Sequence, residues 1–107
     1  MKKIVFLQCQ FERHNNVGCL KYMKQLHNGE KSFAIYDDGA EQIAQLCCNY
    51  CLDKGEFIAE RVAKLKNMGA DAIHLLDDVC SCKNQILDQI KSTIKEAGLP
   101  AVENIKY

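Results

Sequence analysis

The chain is 107 residues long, 48% hydrophobic and 26% charged, which suits one soluble globular domain with a core of its own. Fourteen basic side chains balance fourteen acidic ones, so the formal charge is zero. That balance argues against nucleic acid and against an anionic membrane surface as partners, because either would require a basic face.

The chain opens on Met1-Lys2-Lys3-Ile4-Val5-Phe6-Leu7, like the start of a signal peptide, but the apolar run stops at Gln8. That is too short for a secretory segment or a membrane span, so a cytoplasmic location is expected. The same run, from about Lys3 to Leu7, reads as a first strand buried on both faces. Cys19 to His27 reads as a first helix, with Leu20, Met23 and Leu26 on one side and Gly29 as its stop. Ser32 to Tyr36 reads as a second strand, closed by a turn at Asp37-Asp38-Gly39. Ile43 to Cys47 reads as a third strand, with a short helix over Ala40 to Leu46 as the alternative. A second helix follows from Glu56 to Met68. Ile58, Val62 and Leu65 form its apolar stripe, Glu60 supports Lys64 one turn on, and Gly69 ends it. Ala72 to Leu76 is the next strand. A third helix, Lys83 to Ala97, turns Ile86, Leu87, Ile90, Ile94 and Ala97 inward. Gly98 and Pro100 stop it, and Ala101-Val102 begins a short last strand. Strands alternating with helices predict an α/β fold. The expected architecture is a single three-layer αβα domain over 1–107, flavodoxin-like or Rossmann-like, with a mostly parallel sheet of about four or five strands.

Seven cysteines in a chain expected to stay in a reducing compartment point to metal or redox chemistry rather than to a disulfide framework. In a parallel sheet with right-handed crossovers, each loop from a strand end to the next helix lies at one edge, where open α/β folds place their ligands. Cys9, Cys19, Cys47, Cys48, Cys51, Cys80 and Cys82 all map to that edge. Cys47 and Cys48 are neighbours on an extended chain, so they point to opposite faces and only one can serve a shared site. Cys48-Asn49-Tyr50-Cys51 has the spacing with which a turn presents two sulfurs to one ion. Cys80-Ser81-Cys82 is a looser pair. A buried cysteine is also a small hydrophobe, a reading that weighs as much as ligation for Cys19 and Cys47. Among the histidines, His14 lies at the same edge in a loop where polar side chains are usually solvated. His74 lies inside a strand, where a hydrogen-bonded core histidine is the commoner outcome, and only its nearness to Cys80 keeps it among the candidates.

These residues resemble the CGGC domain family, small cysteine-rich proteins of bacteria and archaea named for a central Cys-Gly-Gly-Cys. The resemblance runs over nearly the whole chain. It rests on Cys9-Gln10 after the first strand, Cys19 at the opening of the first helix, and Cys48 to Cys51 in the place of the namesake motif. Its most specific part is Gly69-Ala70-Asp71-Ala72-Ile73-His74-Leu75, followed by a cysteine. The sequence departs from the pattern in four places. Asn49-Tyr50 replaces the two glycines, Leu52 replaces a usual proline, Cys80 comes slightly late, and a cysteine-proline-histidine segment has no counterpart. The resemblance implies a metal-binding protein, with zinc as the usual suggestion.

The residues and the resemblance together yield a ligand set of Cys9, Cys48, Cys51 and Cys80, with Cys19, Cys82, His74 and His14 as weaker candidates. Zinc is the first choice and an iron–sulfur cluster the alternative, since thiolates suit both. A shell of four cysteines makes the site structural or a carrier, whereas three with an open position permits chemistry. Two other functions compete. Cys48 and Cys51 ahead of a helix suit thiol–disulfide exchange. Cys9 after the first strand suits a phosphocysteine enzyme or carrier, although the bulky loop Gln10 to Gly18 makes a poor phosphate cradle.

Overall fold

The computed structural model describes residues 1–9, 19–48, 50, 54–76, 79 and 83–103, the side chains of residues 9 and 19–21 excepted. Along the chain run β1 (Lys2–Cys9), α1 (Cys19–Asn28), a 3-10 helix (Lys31–Ile35), β2 (Ala40–Cys48), α2 (Glu56–Asn67), β3 (Ala72–Leu75), α3 (Asn84–Glu96) and β4 (Ala101–Glu103). The four strands form one sheet in the order β2-β1-β3-β4, and each neighbouring pair is parallel. β1 and β3 occupy the middle, and each carries a run of four consecutive buried residues. Ile4, Val5, Phe6 and Leu7 are fully buried, as only a strand covered on both faces requires.

Two apolar clusters cover the two faces. Val5, Leu7, Ile73 and Leu75 pack against Ile58 and Val62 of α2 and Leu87, Ile90 and Ile94 of α3. Ile4, Phe6 and Ala72 pack on the other side against Tyr22 and Leu26 of α1 and Phe33 of the 3-10 helix. The result is the three-layer α/β architecture expected from the alternation of elements. Glu60 reaches Lys64 at 3.0 Å, as the helical spacing predicts, but both side chains are exposed, so the pair adds little to stability.

Two expectations are corrected and one is resolved. Ser32 to Tyr36 does not form a strand: Lys31–Ile35 is a 3-10 helix. Consecutive residues Ser32 and Phe33 are both buried there, which a strand cannot achieve on one covered face because its side chains alternate. The strand expected over Ile43 to Cys47 is present and longer, Ala40–Cys48, so the helical alternative falls, and it pairs along β1 from Lys2 to Cys9. In α1 the inward stripe is rotated toward Tyr22. Tyr22 is 3% exposed whereas Met23 is 40% exposed, and the Tyr22 ring meets Phe6 edge-on at 6.2 Å.

One irregularity decides which way β2 faces. Ile4 pairs with Gln42 but Val5 pairs with Ala44, so Ile43 is an extra residue on the edge strand. A bulge of this kind inverts the alternation beyond it. Ala40 accordingly packs on the α1 side, while Ala44, Leu46 and Cys48 pack on the α2/α3 side.

Candidate metal centre

In this strand order the connection from β1 leads to β2 on one side, and the connection from β3 leads to β4 on the other. The crevice between the carboxyl ends of β1 and β3 is therefore the topological switch point, the usual ligand position of an open α/β sheet. Cys9 ends β1 and Cys48 ends β2, and the parallel register pairs them directly. Neighbouring strands lie about 4.8 Å apart, so the two cysteine positions stand side by side at the carboxyl edge, Cys9 on the strand that borders this crevice and Cys48 on the edge strand beyond it.

The bulge at Ile43 is responsible. Without it Cys9 would face Cys47, and Cys48 would lie beyond the ladder on the α1 side. With it, Cys48 is 5% exposed and joins the cluster under α2 and α3. Cys47 stays half-buried on the opposite face, where the Gln8 side-chain amide approaches its sulfur at 3.8 Å. Gln45 in turn donates to Gln8 at 2.6 Å. The two adjacent cysteines are thus divided between faces, as an extended chain demands.

Cys51, Cys80, Cys82 and His14 lie outside the described residues. Their chain neighbours are nonetheless informative. Tyr50, immediately before Cys51, packs against the same cluster that contains Cys48, and Val79, immediately before Cys80, is a fully buried member of it. The Val79 amide also donates to the Leu76 carbonyl at 3.0 Å. Leu7, two residues before Cys9, belongs to the cluster as well. A single apolar cluster therefore anchors the chain at or next to each of the four leading cysteine candidates. Among the described residues alone, no group of three or more Cys, His, Asp or Glu side chains converges on a metal position. The described donor at this edge is a sulfur in apolar surroundings, which fits a thiolate-binding ion better than a hard, oxygen-seeking one.

His74 is occupied elsewhere. Its ring is fully buried, with Nδ1 2.9 Å from Ser32 Oγ and Nε2 2.6 Å from the Tyr36 hydroxyl. Phe33 stacks on it at 4.8 Å. Both nitrogens have partners, so neither is left for a metal. Burial pushes the imidazole down to about 4, leaving it neutral, with one nitrogen donating and the other accepting. Burial, and secondarily the Asp71 charge, pushes the Tyr36 phenol up to about 12. The Ser32–His74–Tyr36 chain superficially resembles a nucleophile relay, but Ser32 is fully buried and no substrate can reach it. This polar network was not legible beforehand, because Ser32 and Tyr36 sit in a segment whose pattern reads as a strand.

Asp71 works at the other end of β3. It accepts the Lys3 amide on its carboxylate at 2.8 Å and donates its own amide to the Lys3 carbonyl at 2.7 Å. Asp71 and His74 thus lock β3 to β1 and to the 3-10 helix.

The family model of the CGGC domain matches residues 3–106. The chain belongs to the CGGC domain family. Comparison with curated proteins and with solved structures finds no match. CGGC membership suggests a metal-binding role. The segment around Asp71 and His74 secures β3 to β1 and to the 3-10 helix. Among the described residues no helix is long and apolar enough to cross a membrane.

Proposed function

We propose that this CGGC domain binds a metal ion through cysteine thiolates at the carboxyl edge of its sheet, with Cys9, Cys48, Cys51 and Cys80 as ligands. Zinc is the preferred ion and an iron–sulfur cluster the alternative. One observation carries the reading. Cys48, the residues before Cys51 and Cys80, and Leu7 near Cys9 all belong to or pack on one cluster beside the switch point. The pairing of Cys9 with Cys48 adds a second constraint. His74 is left out of the set because both its nitrogens are engaged.

The redox reading of Cys48 and Cys51 draws less support. The N-cap of α2 is Gly55, so neither cysteine is the residue that opens that helix, the position that most favours a thiolate.

Elemental analysis of anaerobically purified protein, with its visible spectrum, tests the proposal. About one zinc per chain and no colour is expected, and Cys9→Ser or Cys48→Ser should lower that content. Iron with sulfide and a brown colour would select the cluster. Metal-free protein with every thiol open to titration would refute metal binding.

A further inference from the structure

The register of the sheet sets two cysteine positions directly opposite each other. Cys9 pairs with Cys48 on the neighbouring parallel strand, and each is the last residue of its strand. Adjacent strands lie about 4.8 Å apart, inside the span of roughly 4.4–6.8 Å that separates the Cα atoms of a disulfide. Register partners share a face of the sheet, so the backbone meets the first geometric demand of that bond. Cys47 has no such opposite, since its partner is Gln8. Cys47 and Cys48 are consecutive on an extended strand and face opposite ways, which keeps them from bonding to each other. Cys48 is also 5% exposed and lies in an apolar cluster with Leu7, Ile73 and Leu75. A disulfide is neutral and suits such surroundings, whereas an ionised sulfur there needs a cation beside it.

We propose that Cys9 and Cys48 form a reversible disulfide pair, a modification site in which oxidation ties the end of β1 to the end of β2. The oxidant is a low-molecular-weight disulfide such as oxidised glutathione. The Cys9 thiolate attacks one of its sulfurs, forms a mixed disulfide and expels one thiolate. The Cys48 sulfur then gives up its proton, attacks Cys9 Sγ and expels the second. Two protein thiols are oxidised, one small disulfide is reduced to two thiols, and the two protein protons end on the leaving thiolates. Burial of Cys48 keeps it from a bulky oxidant and gives it the second step. The pair itself needs no metal. Only its consequence rests on the metal-site reading: a sulfur held in a disulfide is no longer a thiolate ligand, so oxidation and metal exclude each other.

The test uses the full chain, reduced, stripped of metal with a chelator and equilibrated with mixtures of reduced and oxidised glutathione. Remaining thiols are alkylated, and the unreduced digest is mapped by mass spectrometry. A peptide linking Cys9 to Cys48 is expected, growing with the oxidised share and lost on treatment with dithiothreitol, while Cys47 stays alkylated throughout. Cys48→Ser should abolish the linkage and collect glutathione on Cys9 instead. Linkage of Cys48 to Cys51, of Cys9 to another cysteine, or of neither to anything would overturn the pair, and wild-type protein alone decides this should the variant not fold. The same oxidation is repeated after loading with Zn2+, which should slow the linkage severalfold. Linkage that forms equally fast with Zn2+ present would uphold the pair and refute ligation by Cys9 and Cys48. Stoichiometric Zn2+ binding in a protein that never forms the linkage would overturn the pair and leave the metal reading standing.

Discussion

Acid should weaken this fold through His74 in a defined pH window. The ring is fully buried between α1-side elements and β3, and desolvation lowers its pKa from 6.5 to about 4. The unfolded chain takes up this proton near pH 6.5, whereas the folded chain resists it until near pH 4. Between those values the unfolded state binds more protons, so stability falls as pH falls. The contribution is fully present above about pH 6.5 and gone below about pH 4. A drop from 6.5 to about 4, at about 1.4 kcal/mol per pH unit, makes the loss roughly 3 kcal/mol. That is a large share of the 5–15 kcal/mol or so that holds an ordinary domain together. Urea unfolding at intervals from pH 7.5 to 4, for wild type and for His74→Gln, isolates the effect. His14 and His27 are common to both chains and cancel in the difference. The variant should begin less stable at neutral pH, having lost the imidazole's fit to Ser32 and Tyr36. It should then decline less steeply, so that the curves converge toward pH 4. Parallel curves would refute the argument, as would an imidazole resonance of His74 that titrates near pH 6.5 in the folded protein.

Three further outcomes follow from the same geometry. The Tyr36 phenol, pushed up to about 12, contributes stability that is present below pH 10 and lost as pH rises toward 12. Tyr36→Phe should flatten that alkaline limb in thermal melts while costing about 1 kcal/mol at pH 7 for the lost bond to His74. Gly55→Ala should destabilise by about 1–3 kcal/mol, since it meets both the positive φ and the Tyr50 ring. Gly29→Ala should cost less in the same urea assay, because nothing lies within 4 Å of its added methyl. Deleting Ile43 removes the bulge without moving Ala44, Leu46 or Cys48 to the other face. Stability should change by no more than about 1 kcal/mol. The straightened edge strand should show more self-association by size-exclusion chromatography, because bulges blunt sheet edges.

Periodicity alone placed α1, α2, α3, β1 and β3, because each has a run of apolar residues whose spacing fits only one kind of element against a core. The same pattern led to the expectation that the cysteines lie at one edge, and among the described residues Cys9 and Cys48 do end neighbouring strands there. Three features were settled only by tertiary packing. The segment Ser32 to Ile35 is apolar enough for a strand but becomes a 3-10 helix, because the buried His74 needs the Ser32 hydroxyl and the Phe33 ring on the same side. The face of Cys48 depends on a single unpaired residue in β2, and no local preference of Ile43 announces a bulge. His74, flanked by apolar neighbours near a cysteine, was compatible with ligation or with a core role. Its partners come from residues some forty positions earlier in the chain, and only folding brings them to its two nitrogens.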